Sequence, residues 1–500
     1  MSVIDSNIFK LRSQAKSGNV RAQFDLGLAY QKGEGAPQDP IQAIKWYRQA
    51  ADGGDLLALN CLGVMYEQGN GIARNASEAF NFFSEAAEKG YAPAQHNLGH
   101  MYLHGKGTEK DARKAAKWFT EAAEKDFSPA FHAIGWMYYL GEYFKKDYEE
   151  AVKFFNFAVE SDNDAAAQNG LGYMYSTGLG VPQDDTIALR WFYKSAEQGY
   201  AIGQRNLASC YFNGYGTTKN LAEAAIWFQK AAQQGEPKAQ SYLGYMYLKG
   251  EGVAKNQAEG IRLMKTAADT GDTESQRNLA IIYVQGVDIP KDEVQAFYWA
   301  KKAALSNDLD AQAILGDCYH HGWGVAIDEQ ESIKWFQKAA EQGDAIAQST
   351  LGYAYWKGEG VEPDLVKSYL WYSLAAKQNN TAAVSGLAYI SKRMTPAQIT
   401  EGQRLVDAWH KQEASPDTEI VMFSSGQPST GLRRLPPRLP TQPPRRQANN
   451  PLGKNPWPVE EGSERDLKQK RDAALDAKIK DANTRGLELI MRINSQKKDL

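Results

Sequence analysis

The sequence predicts an all-α solenoid built from short helix pairs, and three observations carry that prediction. A leucine-centred motif returns every 36 residues, at Leu26, Leu62, Leu98 and Ile134 and then, after one step of 37, at Leu171, Leu207, Leu243, Leu279, Leu315 and Leu351. Tyrosines from Tyr30 to Tyr355 and glycines from Gly33 to Gly358 keep the same register. No segment shows sustained period-two alternation bounded by hairpin turns, so strands are not expected. A unit of about 36 residues is too short to bury a core alone, and each copy must close its apolar face against its neighbours.

Each copy reads as two helices. In the first copy Ala22, Leu26, Ala29 and Tyr30 recur at helical spacing and stop at Gly33, a residue suited to a left-handed C-cap. Asp39-Pro40 then matches an N-cap with proline at the first helical position, and Ala43, Trp46, Tyr47, Ala50 and Ala51 form the apolar stripe of the second helix. A glycine recurs in mid-helix at Gly27, Gly63, Gly99, Gly135 and Gly172, where it costs about 1 kcal/mol against alanine, so close contact with the partner helix is expected. Trp46, Trp118, Trp191, Trp227, Trp299, Trp335 and Trp371 share one position of the second helix and are assigned to the core. The odd residue of the 37-residue step falls in Ser161-Asp162-Asn163-Asp164, which suits a loop.

Residues 1–21 are expected to form an N-terminal capping helix, 22–380 ten repeats, and 381–412 a degenerate repeat with a C-terminal capping helix. Beyond these, 413–462 reads as a Pro/Arg-rich linker without apolar period, and 463–500 as a charged amphipathic helix. From residue 414 onward there are 16 Lys and Arg against 11 Asp and Glu, which leaves 41 against 49 for the rest. An acidic body thus carries a weakly basic tail, too dilute in charge to argue for nucleic acid; the tail is read as a contact for a second partner or for the repeats themselves. The first 19 residues lack a basic start followed by an apolar run, no apolar stretch is long enough to span a membrane, and three unpaired cysteines, Cys61, Cys210 and Cys318, suit a reducing compartment. A cytoplasmic location is therefore the default expectation.

The stretches AQFDLGLAYQKGEGAPQDPIQAIKWYRQAADGGD, AQSYLGYMYLKGEGVAKNQAEGIRLMKTAADTGD and AQSTLGYAYWKGEGVEPDLVKSYLWYSLAAKQNN resemble the Sel-one-like repeat family, a relative of the tetratricopeptide repeats. The resemblance covers roughly residues 5 to 410. It implies a right-handed superhelix of antiparallel helix pairs that serves as a scaffold or adaptor for another protein. A role as a cytosolic immunity protein that neutralises a bacterial toxic effector is a further implication. Two copies depart from the pattern, with Gly141-Glu-Tyr143 in the fourth and Gly286-Val-Asp288 in the eighth, so differently shaped loops are expected there.

Function is expected where the copies differ. With Ala22, Leu26, Ala29 and Tyr30 facing the core, positions 24, 28 and 31 project from the opposite face of the first helix, which should line a concave groove. The first of these carries Phe24, Asn60, His96, His132, Asn169, Arg205, Ser241 and Arg277 in successive copies. Aromatic residues concentrate on this face, and His100, Trp136, Tyr139, Tyr173, Phe212, Tyr245, Tyr353 and Trp356 are the expected partner-binding residues, centred on Trp136 and Tyr173. Packing across the inner curve is the bland alternative.

His96, His100 and His104 follow at i, i+4, i+8, with His132 one copy later, and a metal-binding protein is a third functional alternative. No carboxylate or cysteine joins the set on its own helix, however, so no metal or other cofactor is assigned. The Gly-x-Gly of Gly33 and Gly35 joins two helices and recurs throughout, which makes it a turn and not a phosphate cradle. No nucleophile, base and carboxylate combination stands out, and an enzyme is not expected. Arg434-Leu-Pro-Pro437 and Pro440-Thr-Gln-Pro443 fit polyproline ligand spacings that arise often in such linkers.

Overall fold

The computed structural model describes residues 3–286 and 289–413, with side chains from Ile8 to Trp409. The regions 413–462 and 463–500 therefore lie, but for Glu413, outside the described residues. Among the described residues there are 23 α-helices and no strand. The first half holds α1 (Val3–Lys16), α2 (Val20–Lys32), α3 (Pro40–Asp52), α4 (Leu56–Gln68), α5 (Ala76–Glu88), α6 (Ala92–His104), α7 (Ala112–Ala123), α8 (Ser128–Leu140), α9 (Tyr148–Asp162), α10 (Ala165–Thr177) and α11 (Asp185–Glu197). It continues with α12 (Ala201–Asn213), α13 (Leu221–Gln233), α14 (Pro237–Lys249), α15 (Gln257–Asp269), α16 (Thr273–Gln285), α17 (Glu293–Leu305), α18 (Leu309–His321), α19 (Glu329–Glu341), α20 (Ala345–Lys357) and α21 (Leu365–Lys377), and closes with α22 (Thr381–Ser391) and α23 (Pro396–Glu413). Two compact units divide within α11: one contains the described residues up to Trp191, the other begins at Phe192.

Local chemistry sets each boundary. Asn19 and Asp39 accept backbone N–H groups at the starts of α2 and α3, and Pro40 opens α3. Gly33 closes α2 at φ +77°, a conformation that costs glycine nothing. The second glycine of the turn does more than reverse the chain. A Cβ on Gly107 would lie 2.2 Å from the Ala76 carbonyl oxygen, and one on Gly180 2.3 Å from that of Tyr148, so these turns rest on the backbone of the copy before.

The mid-helix glycines answer a ring twenty residues on. A Cβ on Gly63 would meet Phe83 at 2.5 Å, and one on Gly99 would meet Phe119 at 2.6 Å. Phe83, Phe119 and Phe155 are fully buried in this place, and Phe228 is equally buried in a copy that carries Ala208 instead of the glycine. The deepest ring of the second helix is therefore the residue after the tryptophan position. Of the seven tryptophans assigned to the core, Trp46, Trp299, Trp335 and Trp371 are buried, whereas Trp118, Trp191 and Trp227 are half-buried. In the eighth copy the same two places hold Ala280 and Ala300, both fully buried.

Two local expectations change. The extra residue of the 37-residue step lengthens α9, which runs to Asp162 and ends on Asn163 at φ +49°; the helix absorbs the insertion that the sequence suggested for a loop. In the fourth copy Tyr143 stands where glycine is usual and still adopts φ +67°, so this turn keeps the common backbone form. Gly286 also remains left-handed at φ +61°, while residues 287–288 lie outside the described residues.

A buried glutamine ladder stitches successive pairs. Gln95 Nε2 donates to the Ala87 carbonyl, Gln204 Nε2 to that of Ala196 and Gln240 Nε2 to that of Ala232, each eight residues back. In several copies the glutamine Oε1 accepts from a residue thirty positions on: Gln95 from Lys125 Nζ at 2.9 Å, Gln204 from Gln234 Nε2 at 2.8 Å and Gln348 from Gln378 Nε2 at 3.0 Å. Gln240 and Gln276 are faced at that spacing by Thr270 and Ser306, which are too short to reach. Their Oε1 atoms are buried and accept no hydrogen bond from the described residues. Thr270→Gln is expected to supply the donor and to raise stability by about 1 kcal/mol. Denaturant midpoints check this, and the gain should vanish in a Gln240→Met background.

Candidate functional site

Position 24 of each copy is not an open face. Phe24, Asn169, Arg205 and Ser241 are buried there, and Asn60, His96, His132 and Arg277 are half-buried. Three of these side chains turn toward the cap of the following first helix, 31 residues on, whereas Asn60 accepts from Asn97 and His132 from Trp136. Arg205 pairs with Glu236 at 3.2 Å, Arg277 with Asp308 at 2.9 Å, and the His96 ring meets Phe127 at 5.6 Å. At His96, Arg205 and Arg277 the varied residue is matched to the next copy. Even beside Arg205, burial holds the Glu236 carboxyl above its ordinary range.

Position 28 is the accessible row. His100, Trp136, Tyr173 and Tyr245 are half-buried and Tyr353 is exposed. In the unit up to Trp191, Trp136 on α8 lies 5.1 Å from Tyr139 and 6.3 Å from Tyr173, and it packs on Phe155 of α9 at 5.3 Å. Its indole N–H donates to His132 Nε2 at 2.8 Å. The Tyr139 and Tyr173 hydroxyls lie 3.0 Å apart, and Tyr148 joins the cluster 5.4 Å from Tyr139. Aromatic surface with polar tips held in place loses little entropy when another surface covers it.

The histidines form the neighbouring part of this row. His96 and His100 approach at 3.1 Å through their Nε2 atoms, and His100 stacks on His104 at 5.8 Å. Burial, with the nearby His132, pushes His96 down to about 4, and burial likewise lowers His132 to about 4. His100 is driven well below its ordinary value by burial and by His96 and His104. Neutral imidazoles packed on one another serve as small rings. Among the described residues, no three His, Cys, Asp or Glu side chains are placed to hold a metal ion.

The remaining expected residues belong to the unit that begins at Phe192. Phe212 is 8% exposed and packs against Phe228 and Tyr242, which corrects the expectation of an open ring. Tyr245 is half-buried beside Lys249. Tyr353 and Trp356 on α20 lie 5.6 Å apart, and Trp356 meets Tyr389 of α22 at 4.8 Å. Sequence reasoning passed over Tyr389, although it stands one period after Tyr353 and the repeat register extended once more points to it.

Stacked helix pairs joined by position-specific seams define a helix-pair repeat protein that presents its first-helix row. Ten stretches match the Sel1 repeat: residues 20–55, 57–91, 92–127, 130–163, 165–200, 201–236, 237–272, 273–308, 309–344 and 345–380. The chain belongs to the Sel1 repeat family. It is similar to a protective antigen of uropathogenic Escherichia coli with an SLR fold, at 31% identity over 84% of this chain and 99% of that one, with a TM-score of 0.40. A Sel1 repeat protein from Oxalobacter formigenes is 29% identical over 69% of this chain and 89% of its own, with a TM-score of 0.36. An immunity protein from Pseudomonas aeruginosa is 18% identical over 51% and 83%, with a TM-score of 0.27. No curated protein matches the sequence. Sel1 repeat proteins are in general scaffolds for protein–protein interaction. No helix among the described residues is long and apolar enough to cross a membrane.

Proposed function

We propose that this chain is a protein-binding scaffold that takes its partner on the first-helix row of the unit up to Trp191, at His100, Trp136, Tyr139 and Tyr173. The observation that carries this reading is the half-exposed ring cluster of α8 and α10, at a position occupied elsewhere by Leu28, Val64, Ser209 and Asp317. Packing that required a ring there would have imposed one in every copy. Tyr and Trp presented with bonded polar tips are favoured anchors for a partner surface.

The test is made in the full chain, because alanine at Trp136 also removes packing from Phe155 and so confounds binding with stability. A photoreactive phenylalanine analogue replaces Tyr173, and in a second chain Arg190, an exposed residue of the second helix α11. The expected result, read by mass spectrometry after irradiation in cells, is one discrete protein adduct from position 173 without counterpart at 190. Equal adduct patterns from the two positions, or none at 173, overturn the reading.

A further inference from the structure

The row carries a second aromatic patch of different chemistry, on α20 and α22 in the unit that begins at Phe192. These two first-type helices pack on one another and on α21. Their residues match rung by rung at one period: Ile346 with Ala382, Tyr353 with Tyr389, and Lys357 with Arg393. Trp356 fills the space between the tyrosines. Ile346 is 52% exposed, Tyr353 41% and Tyr389 42%, the largest run of exposed apolar surface in neighbouring first helices of this unit.

The cations are what sets the patch apart. Lys357 Nζ sits 4.2 Å from the Trp356 ring centre, and the Arg393 guanidinium 3.6 Å from that of Tyr389. Such contacts position a charge without neutralising it. Lys357, Lys392 and Arg393 are exposed, and among the described residues none of the three is ion-paired with a carboxylate. A tyrosine followed one turn later by a cation occurs at Tyr245 and Lys249 as well, but only here does it stand on two adjacent rungs.

We propose that this patch docks an acidic peptide segment that carries an apolar ring or proline as its anchor. The anchor would lie over Tyr353, Trp356 and Tyr389, where apolar surface is already assembled, and its flanking carboxylates would meet Lys357, Lys392 and Arg393. Burial of one large apolar side chain supplies the attraction, and the three cations without a carboxylate partner fix the sign of charge that is accepted. A basic segment with the same anchor is rejected by repulsion.

The probe is a short dye-labelled peptide with a central Trp-Pro pair flanked by glutamates, set against the same peptide with lysines for glutamates. Fluorescence anisotropy with the full chain is expected to show binding of the acidic peptide alone. Affinity should fall at least tenfold in the Lys357→Glu, Arg393→Glu chain, and strongly when salt is raised to about 0.5 M. Both substituted residues are exposed, so an unchanged melting curve shows that the fold is kept. Equal binding of the two peptides, no binding at millimolar peptide, or indifference to the charge reversal overturns the proposal. Self-association of the free chain that disappears on charge reversal assigns the patch to a second copy instead, and overturns it too.

Discussion

Acidification from pH 6.5 to pH 4 is expected to remove on the order of 3 kcal/mol from the unit that holds His96, His100 and His132. The His96 imidazole titrates near 4 in the folded chain against 6.5 when free, chiefly because burial disfavours its charged form and secondarily because His132 is close. A folded pKa below the unfolded one means that the contribution is fully present above pH 6.5 and is lost as the pH falls through 4. A displacement of this size in one group corresponds to about 3 kcal/mol. His132 behaves alike, though Asp164 opposes part of its shift, and His100 adds to the loss. The measurement is the denaturant midpoint as a function of pH, compared with a His96→Gln, His132→Gln chain. A wild-type curve that tracks the variant across this range would sink the account. Hydrogen exchange should place the loss of protection in α6, α7 and α8.

Phe119→Ala is expected to cost about 3–5 kcal/mol, the range for emptying a well-packed aromatic site. The ring is fully buried, lies 5.0 Å from His100 and 5.6 Å from His96, and occupies the space that the missing side chain of Gly99 leaves open. In a repeat array each copy is held mainly by its neighbours, so the damage should be local. Amides of α6 to α8 should lose far more protection than those of α2 and α3. The eighth copy indicates the remedy, because it carries Ala280 and Ala300 in these two places. Adding Gly99→Ala to Phe119→Ala should recover about 1 kcal/mol, since alanine is the better helix former and the clash with the ring is gone. A double variant less stable than Phe119→Ala alone would contradict the proposed pairing of glycine and ring.

The repeat register was legible in the sequence because packing imposes sameness: Leu26, Tyr30, Gly33 and their copies must recur for the seams to close. The caps were legible too, since Asp39-Pro40 announces its own chemistry. What was not legible lies in polar geometry. The glutamine at Gln95 recurs in most copies, with Leu59 and Phe131 in its place in two, yet nothing in its spacing reveals that it reaches eight residues back and is met from thirty residues on. At the candidate site the accessible row at Trp136 and Tyr173 was found by angular arithmetic on an ideal helix. The same arithmetic wrongly opened Arg205 and Phe212, because it counts one helix and ignores the neighbour that covers it. Variation between copies has two causes, a partner outside or a matched residue in the next copy, and only the structure separates them.

The seam between position 24 and the following cap gives the array a syntax. Arg205 faces Glu236 and Arg277 faces Asp308, so the copies bearing these arginines could trade places with little offence. The copy bearing Arg205 set before Phe127 would instead strand a guanidinium against a ring where His96 now rests. Duplication and shuffling, the usual ways in which such chains grow, are thereby restricted to copies whose edges rhyme.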